Sequence, residues 1–334
     1  MQIKRLAMVG SWIGAALMTL ALLVPATAGA RSRAVAPGHI RGVVTANTRA
    51  GRALRDRLQR RGAAGLSLLG GSGNLQYNGG PVMHSDANYA IYWEPSGYST
   101  SATYKSIINS YFSNVGAASG ATTNDYSVTT QYYDSAGNIA YSASNGGSTV
   151  DTTPYPSSGC IATSGPCIND AQLQTEIQKV VAAHGWPTGT GAMYYVYLPP
   201  NVTTCTDITS IECSGTVYCA YHSSMGSGSG TILYANMPYD GVSGCESGQA
   251  PNGDAAADAE LNVTSHENIE AITDPLGTAW YDASGNEIGD KCNFTFGSPL
   301  GGAPGAQYNE QISSGSYYLQ EEWSNASSAC VQRM

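Results

Sequence analysis

The chain has 334 residues, of which 42% are hydrophobic and 12% charged, with a formal net charge of −9. That length supports one large domain with a real core. The acidity excludes nucleic acid and anionic surfaces as partners for most of the chain, because like charges repel.

Residues 1–30 read as a secretory signal. Lys4 and Arg5 precede an apolar run over 6–24, and Ala26-Thr27-Ala28-Gly29-Ala30 supplies an A-x-A-type cleavage site. An uncleaved anchor is the alternative. No second run of spanning length follows, so an exported protein, free of the membrane after cleavage, is expected. Residues 31–75 form a different object. Nine arginines and one acid, Asp56, lie between 31 and 61. From residue 62 onward, four basic residues stand against 23 acids. The basic stretch, rich in Gly, Ala and Arg, ends in L-G-G-S-G-N. It reads as a disordered arm or as a pro-segment drawn to the acidic body, with a short basic helix over 48–69. It is expected outside the folded body.

Residues 76–334 then make a single domain rich in Gly, Ser, Thr, Asn and Tyr. Runs of Tyr, Val and Ile predict strands at 90–93, 126–133, 193–198, 216–222 and 231–237. Tyr104, Ile107, Ile108, Tyr111, Phe112 and Val115 recur at helical spacing, predicting a helix over 101–115. Leu173, Ile177, Val180 and Val181 mark a second, with Asn169-Asp170 as cap and Gly185 as stop. A third starts at Asp254 and stops before Pro275. The strands at 216–222 and 231–237, joined by M-G-S-G-S-G, read as a hairpin just ahead of it.

The eight cysteines all follow residue 159. An even count in an exported chain points to disulfides. Short loops suggest Cys160–Cys167 and Cys205–Cys213, leaving Cys219–Cys245 and Cys292–Cys330; the sequence leaves other pairings open. No C-x-x-C occurs, so a cysteine-rich zinc site is not expected. With every cysteine able to pair, neither is a thiol nucleophile. There is no G-x-S-x-G for a serine hydrolase.

The stretch V-T-S-H-E-N-I-E-A-I-T-D-P, residues 263–275, carries the chemistry. His266 and Glu270 are four apart, on one helix face, where both can grip one cation. Glu267 points about 100° away and can hold a water beside it, as in the H-E-x-x-H pattern of zinc peptidases. Here the fifth position is Glu. Three acids at a helix C-terminus oppose the helix dipole, which a bound dication would offset; the alternative is that Glu267, Glu270 and Asp274 are solvated. A third ligand is needed. Asp290 and Glu287, in W-Y-D-A-S-G-N-E-I-G-D-K-C, are candidates, with Asp290 preferred; otherwise that segment is a solvated turn. His222 is a further candidate, as ligand or as donor to an oxyanion. One divalent cation is expected. Zinc is the first choice, with calcium or manganese open for so hard a ligand set.

The motifs N-G-G-P-V-M-H (78–84), Y-A-I-Y-W (89–93), V-Y-C-A-Y-H (217–222), P-N-G-D-A-A-A-D (251–258) and T-D-P (273–275) resemble, in order, a bacterial member of the phosphate-induced, EXORDIUM-like family of secreted proteins. Plant relatives are apoplastic and linked to growth, which implies a non-catalytic extracellular or cell-wall-binding role. The order of elements also resembles zincin-type peptidases, in which an edge strand beside the active helix receives the substrate. The expected fold is α+β and zincin-like, disulfide-stapled, with one twisted mixed sheet packed on helices and the active helix after a β-hairpin. The expected function is a secreted metallopeptidase acting on a peptide or protein. His266, Glu270 and Asp290 would be ligands, Glu267 the base, and His222 an assisting residue.

Overall fold

The computed structural model describes residues 40–65, 73–161, 165–209 and 211–334. The expected signal at 1–30 and part of the basic stretch lie outside them. Six strands build the main sheet: β1 (Arg41–Thr45), β2 (Asp86–Trp93), β3 (Ala143–Asp151), β4 (Ala192–Tyr197), β5 (Tyr218–Met225) and β6 (Ile232–Met237). Their spatial order is β1-β5-β6-β4-β2-β3. Pairing is antiparallel for β1/β5 and β5/β6, and parallel for β6/β4, β4/β2 and β2/β3. The sheet is therefore mixed, and the hairpin expected ahead of the third helix is β5–β6.

Four helices accompany it: α1 (Arg49–Gly65), α2 (Ala102–Ala117), α3 (Asp170–His184) and α4 (Ala255–Thr273). Their ends follow local chemistry. The Ser101 side chain accepts from the Tyr104 N–H at the start of α2. Asn169 and Gln172 form a reciprocal capping box on α3, and Gly185 closes it at φ 61°. Asp254 accepts from the N–H groups of Ala256 and Ala257 at the start of α4. Apolar residues of α2 and α4 pack with Ala90, Tyr92, Met193, Tyr195 and Leu233 on one face of the sheet. On the other face, α3 packs with Ile91, Trp93, Tyr194 and Tyr234. The helices thus cover both faces.

Three expectations change. Residues 126–133 are not a strand; Asp125–Gln131 is a 3₁₀ helix. The reason is local: the hydroxyls of Ser127, Thr129 and Thr130 each donate to the carbonyl three residues back, favouring a tight turn over a ladder. β3, A-S-N-G-G-S-T-V-D, carries no strand signal, yet pairs with β2 along its length. Its place comes from β2, not from propensity. The third change is in the basic stretch, which is not wholly outside the body. Residues 41–45 are the edge strand β1, and Val44 is fully buried. Backbone bonds from Ala46 to Val217 and from Asn47 to Gly244 extend the attachment.

All eight cysteines pair, as Cys160–Cys167, Cys205–Cys213, Cys219–Cys245 and Cys292–Cys330. No helix among the described residues is long and apolar enough to cross a membrane.

Candidate metal centre

Helix α4 is buried all round, from Ala256 to Thr273. A helix so placed is ordinarily apolar on every side. This one carries Asp258, Glu260, Asn262, Thr264, Ser265, His266, Glu267, Asn268 and Glu270, so each polar group must find a partner inside the protein. Many do. Asn262 accepts from the Gln320 N–H, Ser265 donates to Asp125, and Asn268 joins Asp86 and Tyr126. Asp274 caps the exit turn by accepting from the N–H groups of Thr278 and Ala279. It is neither solvated nor part of the cluster described next.

His266, Glu267 and Glu270 are each 0% exposed, which removes the solvated alternative for them. His266 Nε2 lies 3.0 Å from Glu270 Oε1, but no hydrogen bond satisfies either His266 ring nitrogen. Two donor atoms at about 3.3 Å is the spacing that a tetrahedral cation imposes on ligands roughly 2.0–2.1 Å from it. Glu270 Oε1 also accepts from the Asp290 N–H at 2.8 Å. Ligand atoms of His266, Glu270 and Asp290 lie within 4.8 Å of one another. The structure therefore brings these three side chains together.

His222 arrives from β5. Its Nδ1 is 2.9 Å from Glu267 Oε2 and 3.7 Å from Glu270 Oε2, and its Nε2 is 3.9 Å from Glu287 Oε1. His222, Glu267 and Glu270 form a second trio within 4.8 Å. Asp290 and Glu287 come from one loop. The Asp290 carboxylate accepts from the Glu287 N–H at 3.1 Å, and the Cys292–Cys330 disulfide ties down the segment beyond. Glu287, 1% exposed, is not on a solvated turn.

The electrostatics follow from packing these acids away from water. Burial, then the Glu270, Asp290 and Glu287 carboxylates, push Glu267 well above the usual carboxylate range. Burial and Glu270 raise Asp290 to about 7. For Glu270, burial acts upward, but His266 and His222 outweigh it and hold the group below its ordinary value. For His266, burial acts downward and Glu270 outweighs it, so the imidazole is raised. The opposite shifts of Glu270 and Glu267 follow from which of them the histidines pair with and which the carboxylates crowd. The donor set is two imidazoles and four carboxylates, with unpartnered atoms at both His266 nitrogens, Glu267 Oε1 and Glu270 Oε2. It fits a divalent cation.

Residues from the last third of the chain complete the surroundings without any spacing signal. Gln320 Nε2 donates to the Gly289 carbonyl, and Glu322 lies buried beside it. A Cβ on Gly289 would lie 2.8 Å from His266 Nδ1, so only glycine lets the loop close on the ring. An open groove of about 690 Å³ lies elsewhere, between α2 and β3, lined by Lys105, Ser106, Asn109, Ser148 and Thr149; it includes none of the cluster.

Fold and cluster together define a disulfide-bonded mixed α+β protein with a buried histidine–carboxylate centre. The chain is similar to protein EXORDIUM-like 3 of Arabidopsis thaliana, 32% identical over 103 residues that make up 27% of this chain and 31% of that protein. The similarity supports kinship with the EXORDIUM-like proteins while spanning less than a third of the relative's length. No protein-family pattern matches the chain, and no solved structure matches it.

Proposed function

We propose that this is a secreted, zincin-like metallopeptidase acting on a peptide or protein substrate. His266, Glu270 and Asp290 would hold a divalent cation, zinc first. The observation that carries the reading is the approach of His266 Nε2 to Glu270 Oε1 without a hydrogen bond, in a fully buried site beside Asp290. The cation would supply Lewis acidity toward a peptide carbonyl and toward a water. The protein supplies the rest. Glu267 Oε1 would be the proton acceptor, being the Glu267 oxygen without a hydrogen bond beside the proposed ligands. His222 Nδ1, at 2.9 Å, fixes the other Glu267 oxygen and so aims the base.

A second reading is a non-catalytic extracellular or cell-wall-associated protein with a structural cation. It draws on the EXORDIUM-like kinship and on the complete burial of the cluster. Peptide cleavage separates the two. A broad peptide library would be incubated with the full chain, with and without chelator. The peptidase reading expects chelator-sensitive cleavage, and Glu267→Gln slowing it by at least ~10²-fold while the cation at His266, Glu270 and Asp290 stays bound. Glu270→Gln would lower cation content as well. Chelator-insensitive cleavage, or cleavage surviving in Glu267→Gln, contradicts this mechanism. No cleavage at all favours the second reading.

A further inference from the structure

We infer that the centre holds two divalent cations bridged by Glu270. The inference rests on the reading that His266, Glu270 and Asp290 hold the first. Two independent features lead to it, the first being the aim of the Glu270 carboxylate. Its Oε1 lies 3.0 Å from His266 Nε2, and its Oε2 lies 3.7 Å from His222 Nδ1. Each oxygen thus faces a different histidine, one from α4 and one from β5. The two trios, His266–Glu270–Asp290 and His222–Glu267–Glu270, share Glu270 alone. A carboxylate presenting one oxygen to each of two donor sets is the arrangement that spans metal ions about 3.5–4 Å apart.

The second feature is the number of buried donor groups. Glu267, Glu270 and Glu287 are at most 1% exposed, and Asp290 lies against them. Those four carboxylates carry four negative charges when ionised. The nearby Lys291 ammonium is 3.1 Å from Asp282 and is taken by that acid. Two imidazoles and four carboxylates meet here, more donors than one four-coordinate cation takes. A second dication has the remaining donors. It would take His222 Nδ1, Glu267 Oε2 and Glu270 Oε2, leaving Glu267 Oε1 to accept a proton. The cation would replace the proton that joins His222 Nδ1 to Glu267 Oε2 at 2.9 Å. Imidazole with carboxylate suits zinc or manganese at both positions.

Manganese tests this, because it is paramagnetic. The full chain would be stripped with chelator and dialysed against Mn²⁺, then read by elemental analysis and electron paramagnetic resonance. The expected result is about two manganese ions per chain with an exchange-coupled spectrum. His222→Ala should retain about one ion and show the six-line spectrum of an isolated ion, and His266→Ala should behave likewise. Where His222→Ala does not fold, Glu267→Gln replaces it, with the same expectation. One uncoupled ion in the native chain overturns the second site and leaves the first intact. No bound ion overturns both. Two ions without coupling, or an ion count unchanged in His222→Ala and Glu267→Gln, overturns the bridge.

Discussion

His266 is held by what stands beside it as much as by its helix. Gly289 has helical backbone angles, φ −77° and ψ −38°, so alanine there carries no backbone strain. Its methyl group would instead press on the imidazole, because a Cβ there would lie 2.8 Å from Nδ1. Gly289→Ala should tilt the ring and weaken cation binding by roughly 10–100-fold, the range for groups that orient a ligand. Overpacking should cost about 1–3 kcal/mol in stability. Isothermal titration with zinc checks this; unchanged affinity would show that the ring has room to move. At this scale the sequence is legible wherever spacing encodes proximity. The four-residue interval from His266 to Glu270 survives folding because a helix fixes it. Gln320 and Glu322 carry no signal, because Gln320 meets Gly289 from 31 residues further along the chain, through short strands with no repeat. The 2.9 Å contact between His222 and Glu267 depends on how β5 lies against α4, which no local pattern reports.

Among the elements, those with strong local chemistry were readable. Helices α2, α3 and α4 begin at their polar caps and end at Ala117, at Gly185 or just before Asp274-Pro275. The 3₁₀ segment at 125–131 and the strand β3 were not, because one is decided by hydroxyl-to-carbonyl bonds and the other by its neighbour. β1 was hidden for a different reason: charge dominates its surroundings, while burial of Val44, beside half-buried Val43, decides its fate. This strand pairs with the β5 strand that carries His222, touches α4, and has Thr45 Oγ1 in reach of Asn293 at 3.3 Å. It therefore lies along the centre's outer side. Its pairing is irregular, with register shifts on both sides of Val44. The arginines concentrated in residues 31–61, against four basic residues in the rest, direct trypsin to this segment. Limited digestion of the full chain should leave the body folded and make His222 more reactive toward diethyl pyrocarbonate. Loss of the cooperative melt on digestion would make β1 integral to the domain, and unchanged His222 reactivity would mean that β1 does not shield it.

The whole molecule stores acid in its interior. Away from the centre, burial raises Asp86 to about 6, Asp125 to about 7, Glu260 to about 8 and Glu310 to about 10. Unfolded carboxyls titrate near 4. A raised folded value means that the fold binds more protons than the unfolded chain. The stability this brings is present below about pH 4 and is lost as pH rises through each folded value. For Asp86 the loss is about 3 kcal/mol, at roughly 1.4 kcal/mol per pH unit of difference. Chelated protein should therefore melt lower at pH 8 than at pH 5, and Asp86→Asn should flatten part of that slope. A cation bound only by the folded state would add stability on top, about 2.7 kcal/mol at a hundredfold excess over its dissociation constant. The most direct measurement is the melting temperature at pH 8 of the full chain in chelator and in zinc, beside Glu270→Ala. Zinc should raise the melting temperature of the native chain by several degrees and leave that of Glu270→Ala unchanged. A native chain whose melting is the same in zinc and in chelator would contradict the metal centre.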